Sequence, residues 1–326
     1  MSLSALYELP APAKLNLFLH VVGRRPEGYH LLQSLFVLID WADWLHLERR
    51  DDGRIVRHDL GLPLPADDLC LRAARLLQAA SGCGDGVDLS IDKRVPWGAG
   101  LGGGSSDAAT TLIGLNRLWR LGWPRTRLAE LALQLGADVP FFIGGRPAFV
   151  EGIGERMTPL DLPACWYAVV KPAAAVLTAA VFGSPMLGRD TEPVILTGSF
   201  ADASASEPTA EHEVGPEAGQ PVVRGGGWGG VQGGVPRCGS SWLDGFGRND
   251  LQPVAEQQCS EVADAAAWLL SRFGNSRMTG SGSAVFARVG AGDHPVATFP
   301  SDELPAGWVG RLCRSLSGHP LAGWTG

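Results

Sequence analysis

The sequence predicts helices and strands mixed within two domains, and three observations carry that prediction. The chain has 326 residues, 45% of them hydrophobic, which is enough for a sizeable core in each of two domains. Apolar residues alternate at period two in some stretches and recur at helical spacing in others. A glycine-rich stretch, Pro96-Trp97-Gly98-Ala99-Gly100-Leu101-Gly102-Gly103-Gly104-Ser105-Ser106-Asp107, joins one such strand to one such helix.

Taken in order, the first strand begins at Lys14, with Leu15, Leu17, Leu19 and Val21 expected on one face and Lys14, Asn16, Phe18 and His20 on the other. By its residue type alone, a lysine at a strand start reads as a solvated end. The turn Gly23-Arg24-Arg25-Pro26-Glu27-Gly28-Tyr29-His30 follows, then strand-like runs through Leu35 and Val37, Trp44 to Leu47, and Ile55 to Val56. Tyr29 and His30 on that turn suit either stacking of a planar ring or a structural pair. Asp67 or Asp68 is expected to cap a helix through Leu69, Ala73, Leu76 and Leu77 that ends near Gly82.

Val87, Leu89 and Ile91 alternate into the glycine stretch. Five glycines between Gly98 and Gly104 cost backbone entropy without adding packing, so bare backbone must be needed there. Successive N–H groups of such a run turn around one centre and make a nest for an anion. Ser105, Ser106 and Asp107 are N-cap types, and Ala108, Leu112, Leu115 and Trp119 recur at helical spacing, so a helix is expected to start after the glycines. Its first-turn N–H groups and positive dipole end aim at the same spot, which makes the stretch a polyphosphate cradle. A dinucleotide fingerprint is excluded because the turn Leu121-Gly122-Trp123-Pro124 replaces the required acidic strand end, and a Walker A loop because no Lys-Ser or Lys-Thr follows.

A helix from near Thr126 carries Leu128, Leu131 and Leu135 and is expected to stop at Gly136. Asp138 stands just beyond, among apolar neighbours, as either an N-cap or a functional acid. Strands are expected at Ala148 to Glu151 and Trp166 to Val170, and a short helix from Thr178 to Phe182. Residues 198–239 turn acidic and alanine/serine-rich, then glycine-dominated, and read as a disordered insertion. One helix is expected over residues 253–273, then a second small-residue loop, Gly280-Ser281-Gly282-Ser283, and a strand from Ala284 to Val289.

A net charge of −7 argues against a general nucleic-acid or membrane-surface binder. Leu15 to Val22, interrupted by Asn16 and His20, is too short for a membrane span and has no cleavage site after it. The six cysteines, Cys70, Cys83, Cys165, Cys238, Cys259 and Cys313, form no CxxC pair, which points to a reducing, cytoplasmic setting and gives no metal-ligand spacing.

Four separated motifs, PAKLNLFLHV with GRRPEGYH, PWGAGLGGGSSDAA, GADVPFF and MTGSGSAVFA, together resemble the GHMP kinase superfamily. Within it, Lys14 with Asn16, Gly28-Tyr29-His30 and Gly136-Ala137-Asp138-Val139-Pro140 resemble the 4-diphosphocytidyl-2-C-methyl-D-erythritol kinases, from Ala11 to Arg288. The resemblance implies an α+β fold: an N-terminal domain like ribosomal protein S5 domain 2, here 1–160, and a ferredoxin-like C-terminal domain, here 161–326. It implies ATP with Mg2+ as donor and a cytidine diphosphate-linked methylerythritol as acceptor. Lys14 and Asp138 become the catalytic pair. The loop from Pro96 through Ser106 holds the ATP phosphates, with Ser105 or Ser106 near phosphate or metal. Tyr29 and Phe182 enclose the cytosine, His30 reads its polar edge, and Asn16 and Thr178 lie nearby. The insertion at 198–239 departs from the family pattern. A homoserine- or mevalonate-type kinase fits Gly28-Tyr29-His30 and Phe182 less well, and a non-catalytic nucleotide binder has no need of Lys14 with Asp138.

Overall fold

The computed structural model describes residues 3–61, 63–196, 223–224 and 246–325, so all but two residues of the expected insertion lie outside the described residues. In chain order the N-terminal elements are β1 (Ala5–Arg24), β2 (His30–Arg50), β3 (Ile55–Asp59), α1 (Leu69–Ser81), β4 (Gly86–Asp92), α2 (Gly103–Leu118), α3 (Arg125–Ala132), α4 (Val139–Gly144), β5 (Ala148–Gly152) and β6 (Arg156–Pro159). There follow β7 (Cys165–Lys171), α5 (Thr178–Gly183), the small pair β8 (Ile195–Leu196) and β9 (Val223–Arg224), α6 (Gln252–Gln258), α7 (Ser260–Phe273), β10 (Arg277–Met278), β11 (Val285–Ala291) and β12 (Val309–Leu316).

One ten-stranded sheet runs β10-β11-β7-β12-β2-β4-β3, with β1 and β5 also on β2 and β6 beyond β5. β12, which the sequence reading did not foresee, pairs with β7 through Arg314 and with β2 at Ser315 and Leu316, and so joins the two halves. Helices α1 to α4 cover one part of the sheet over Leu9, Leu38, Leu47 and Leu89, while α5 to α7 cover another over Leu19, Val21, Ala168 and Val170. α2 is buried almost all round, with Leu112 and Leu115 fully enclosed, and truncating such a leucine costs about 2–5 kcal/mol.

β1 is longer than expected and its alternation breaks. A bulge between Asn16 and Leu19 puts Leu15, Leu17 and Phe18 into one core cluster and Leu19 and Val21 into another, so the single apolar face expected from the spacing does not exist. α2 starts at Gly103, with left-handed Gly102 as its N-cap, two residues before the serines expected to cap it. α3 ends at Ala132 instead of Gly136, the last leucines forming turns. The helix expected over 253–273 is two, α6 and α7, separated by extended Cys259 (φ −147°, ψ 101°). Asp68 caps α1, its carboxylate accepting from Leu71 N–H at 3.0 Å, and left-handed Gly82 ends it.

Candidate active site

The two glycine loops meet. Ala284 N–H donates to Ala99 O at 3.1 Å and Ser283 N–H to Gly98 O at 3.3 Å, so the second loop lies along the first. Gly100 has φ +73°, and a Cβ there would come within 2.3 Å of Thr279 O; this contact admits only glycine. Asn249 fixes the second loop from below, donating through Nδ2 to Met278 O (2.7 Å) and Gly280 O (2.8 Å).

In front of the loops opens a cleft of about 620 Å³. Lys14, Asn16, Tyr29, His30, Gly98, Gly100, Gly102, Ser105, Asp138, Thr178, Phe182, Gly280, Ser281 and Gly282 all line it. The side chains of Ala99 and Leu101 pack into the core instead and leave only their backbone to the loop. Pro96, Gly103, Gly104, Ser106 and Ser283 do not line the cleft; Ser106 and Ser283 are fully buried, and Ser283 Oγ donates to Ala174 O at 2.7 Å. Another cavity, of about 630 Å³ beside Tyr167 and Arg277, contains none of these residues.

Lys14 is not a solvated strand end. It is 4% exposed, its backbone N–H donates to Leu101 O at 2.9 Å, and its ammonium donates to Asn16 Oδ1 and lies 4.7 Å from the centre of the Phe36 ring. Burial pushes its pKa below the ordinary lysine value, and the charge of Asp138 opposes that shift. Asp138 occupies the N-cap position of α4 but makes no capping hydrogen bond. Its Oδ2 stands 3.6 Å from Lys14 Nζ, too far for a hydrogen bond, and the side chain is 34% exposed. The carboxylate is therefore held by charge and free to accept a proton from a group in the cleft.

Asn16 is held by Thr279 Oγ1, which accepts its backbone N–H at 2.9 Å, and by Ser34 Oγ, which accepts from Nδ2 at 2.9 Å. Thr178 and Ser281 join hydroxyls at 2.7 Å across the mouth of the cleft. Tyr29 is largely exposed, and His30 packs against Phe182 at 5.1 Å between ring centroids. Tyr29 and Phe182 thus share the cleft without forming a pair of their own.

Beneath the glycine loop lies a cluster that the sequence reading missed. Lys93 donates to Asp107 Oδ2 at 2.6 Å and to Asp43, which also accepts the backbone N–H groups of Arg94 and Val95. The paired carboxylates outweigh burial and raise the pKa of Lys93, whereas burial drives Asp107 well above the usual carboxylate range. Asp107 was visible as a cap type, but nothing in the spacing tied Asp43, 50 residues away from Lys93, to it.

Residues 68–146 match the GHMP kinases N terminal domain and residues 238–295 the GHMP kinases C terminal model. The 4-diphosphocytidyl-2-C-methyl-D-erythritol kinase of Methylibium petroleiphilum is 57% identical over 327 residues, covering 100% of both chains. The chain belongs to this kinase family. A crystal structure of 4-(cytidine 5'-diphospho)-2C-methyl-D-erythritol kinase superposes with TM-score 0.68 at 32% identity, over 95% of this chain and 99% of the other. Homoserine kinase from Cytophaga hutchinsonii shares the fold alone, at TM-score 0.57 and 14% identity over 97% of this chain and 95% of its own. The chain is therefore a two-domain kinase of mixed helix and sheet.

Proposed function

We propose that the chain transfers the γ-phosphoryl group of ATP to the 2-hydroxyl of 4-diphosphocytidyl-2-C-methyl-D-erythritol, giving the 2-phosphate and ADP in the non-mevalonate route to isopentenyl diphosphate. The observation that carries this reading is the Lys14–Asp138 pair, 3.6 Å apart, in the same cleft as both glycine loops and the Tyr29, His30 and Phe182 rings. Asp138 accepts the hydroxyl proton as the oxygen attacks. Lys14 keeps the carboxylate ionised and stabilises the charge that develops between the two oxygens and the moving phosphoryl. The backbone N–H groups of the first loop and the start of α2 hold the ATP phosphates, and little covalent chemistry is asked of the protein beyond alignment.

At the start of α2 Ser105 lines the cleft and offers a side-chain oxygen suited to phosphate or Mg2+, whereas Ser106 is fully buried and Asp107 is engaged by Lys93. Ser105 would help to hold the ion, which would neutralise phosphate charge when bound. We place the domain boundary at residue 160, between β6 and β7, consistent with the separate family matches on either side. No helix among the described residues is long and apolar enough to cross a membrane. The five described cysteines are all free, which supports a cytoplasmic setting, and the partners proposed are small molecules, with neither nucleic acid nor membrane.

Release of ADP with Mg-ATP tests the reading, comparing 4-diphosphocytidyl-2-C-methyl-D-erythritol with homoserine and mevalonate as acceptors. Turnover with the cytidine compound alone is expected. Preference for either of the others would move the chain to another small-molecule specificity of the same fold.

A further inference from the structure

The loop after α5 brings to His30 one residue that no motif marked. Arg189 donates through NH1 to Leu187 O (2.8 Å) and through NH2 to Ser184 O (2.9 Å) and Phe182 O (3.3 Å). These carbonyls lock the guanidinium in one orientation, and its remaining Nε–H donates to His30 Nε2 at 3.0 Å. A guanidinium has five N–H donors and no acceptor. His30 Nε2 must therefore present its lone pair, and a neutral imidazole in that position carries its proton on Nδ1.

The surroundings keep the ring neutral. Burial, then the charges of Arg189 and Arg24, lower the His30 pKa below its ordinary 6.5, and no carboxylate opposes them. Nδ1–H has no partner among the described residues, on a ring that lines the cleft and packs on Phe182. A fixed donor at that point asks for an acceptor on the ligand. The N3 atom of cytosine is a lone-pair acceptor, whereas N3 of uracil carries hydrogen and would set donor against donor.

We infer that Arg189 is a positioning residue that fixes the Nδ1–H tautomer of His30 and thereby selects cytosine over uracil. This deepens the cytidine reading above and rests on it. Arg189 need not touch the substrate; it acts through the ring.

The test has two independent readouts, with the ATP site saturated by a non-hydrolysable ATP analogue. Nitrogen NMR of the His30 ring reports tautomer and titration, and calorimetry compares CDP with UDP. Wild type is expected to show Nδ1–H and to prefer CDP. Arg189→Met, checked for an unchanged melting profile, should let the ring titrate closer to 6.5 and populate Nε2–H, and should reduce the CDP:UDP preference about tenfold or more. Arg189→Lys, which keeps a donor-only cation, should restore most of both. An Nε2–H tautomer in the wild type, or an undiminished preference in Arg189→Met, overturns the assignment. A wild type that binds the ATP analogue but neither CDP nor UDP overturns the cytidine reading and the selection with it.

Discussion

Two lysine–aspartate assemblies flank the start of α2 and are built in opposite ways. Lys14 lies against Gly102 and faces Asp138 at 3.6 Å, with the carboxylate 34% exposed to the cleft. Lys93 lies against Gly103 and is clamped between Asp107, at 2.6 Å, and Asp43, which is fully buried. Every strong contact of the Lys93 cluster is made inside the protein, and through Asp43 it fixes residues 93–95, where the chain enters the glycine loop. The Lys14 pair stops short of a hydrogen bond and keeps its carboxylate available. Tight, enclosed pairing suits a scaffold, and loose pairing at a cleft suits the chemistry proposed for Lys14 and Asp138.

Breaking the reactive side should change turnover and leave the fold. Lys14→Met replaces a buried ammonium beside Phe36 with an apolar chain of similar length, so unfolding free energy is expected to move by about 1 kcal/mol or less. Steady-state kinetics should show kcat down by roughly 10³-fold, because the lost cation acts on charge present only in the transition state. Breaking the scaffold side should do the reverse. Lys93→Met strands two buried carboxylates and should cost about 3–5 kcal/mol in urea denaturation, with the KM for ATP rising as the loop loses its anchor.

A pH experiment sharpens the scaffold side. His319 is almost fully buried, its Nδ1 accepting from Leu321 N–H at 3.1 Å, and burial with the nearby Arg125 charge lowers its pKa to about 4 from 6.5. The unfolded chain thus binds a proton that the folded one refuses, and stability falls as pH drops from 6.5 towards 4. The loss reaches at most about 3 kcal/mol, and His319→Gln should flatten the slope in that window. The smallest effect belongs to the ligand rings. Phe182→Ala should weaken CDP binding by about 1–3 kcal/mol in calorimetry while ATP affinity stays put.

What could be read before the structure follows from the same contrast. Glycine runs and a capped α1 are local signals. The family resemblance singles out Lys14, Asp138, Tyr29, His30 and Phe182 together, since Lys14 alone reads as a solvated strand end, and the cleft brings these residues together. The β1 bulge was not legible, because alternation continues through Asn16 to Leu19 while the backbone adds a residue against β2. The break at Cys259 was hidden for a similar reason, since apolar spacing survives it. Asp43 with Lys93, and Arg189 with His30, meet only through tertiary folding, across separations that no short-range pattern records. Asp138 stood as either cap or functional acid by sequence; it occupies the N-cap position without a cap hydrogen bond and faces Lys14 at 3.6 Å, which supports the proposed functional role.

The central claim is that Asp138 is placed for chemistry and not for stability, and one variant tests it most directly. Asp138→Ala should retain the wild-type melting temperature and ATP binding while ADP release with 4-diphosphocytidyl-2-C-methyl-D-erythritol falls by roughly 10³- to 10⁴-fold. Near-normal turnover, or a loss of activity that only follows a loss of folding, would contradict the account.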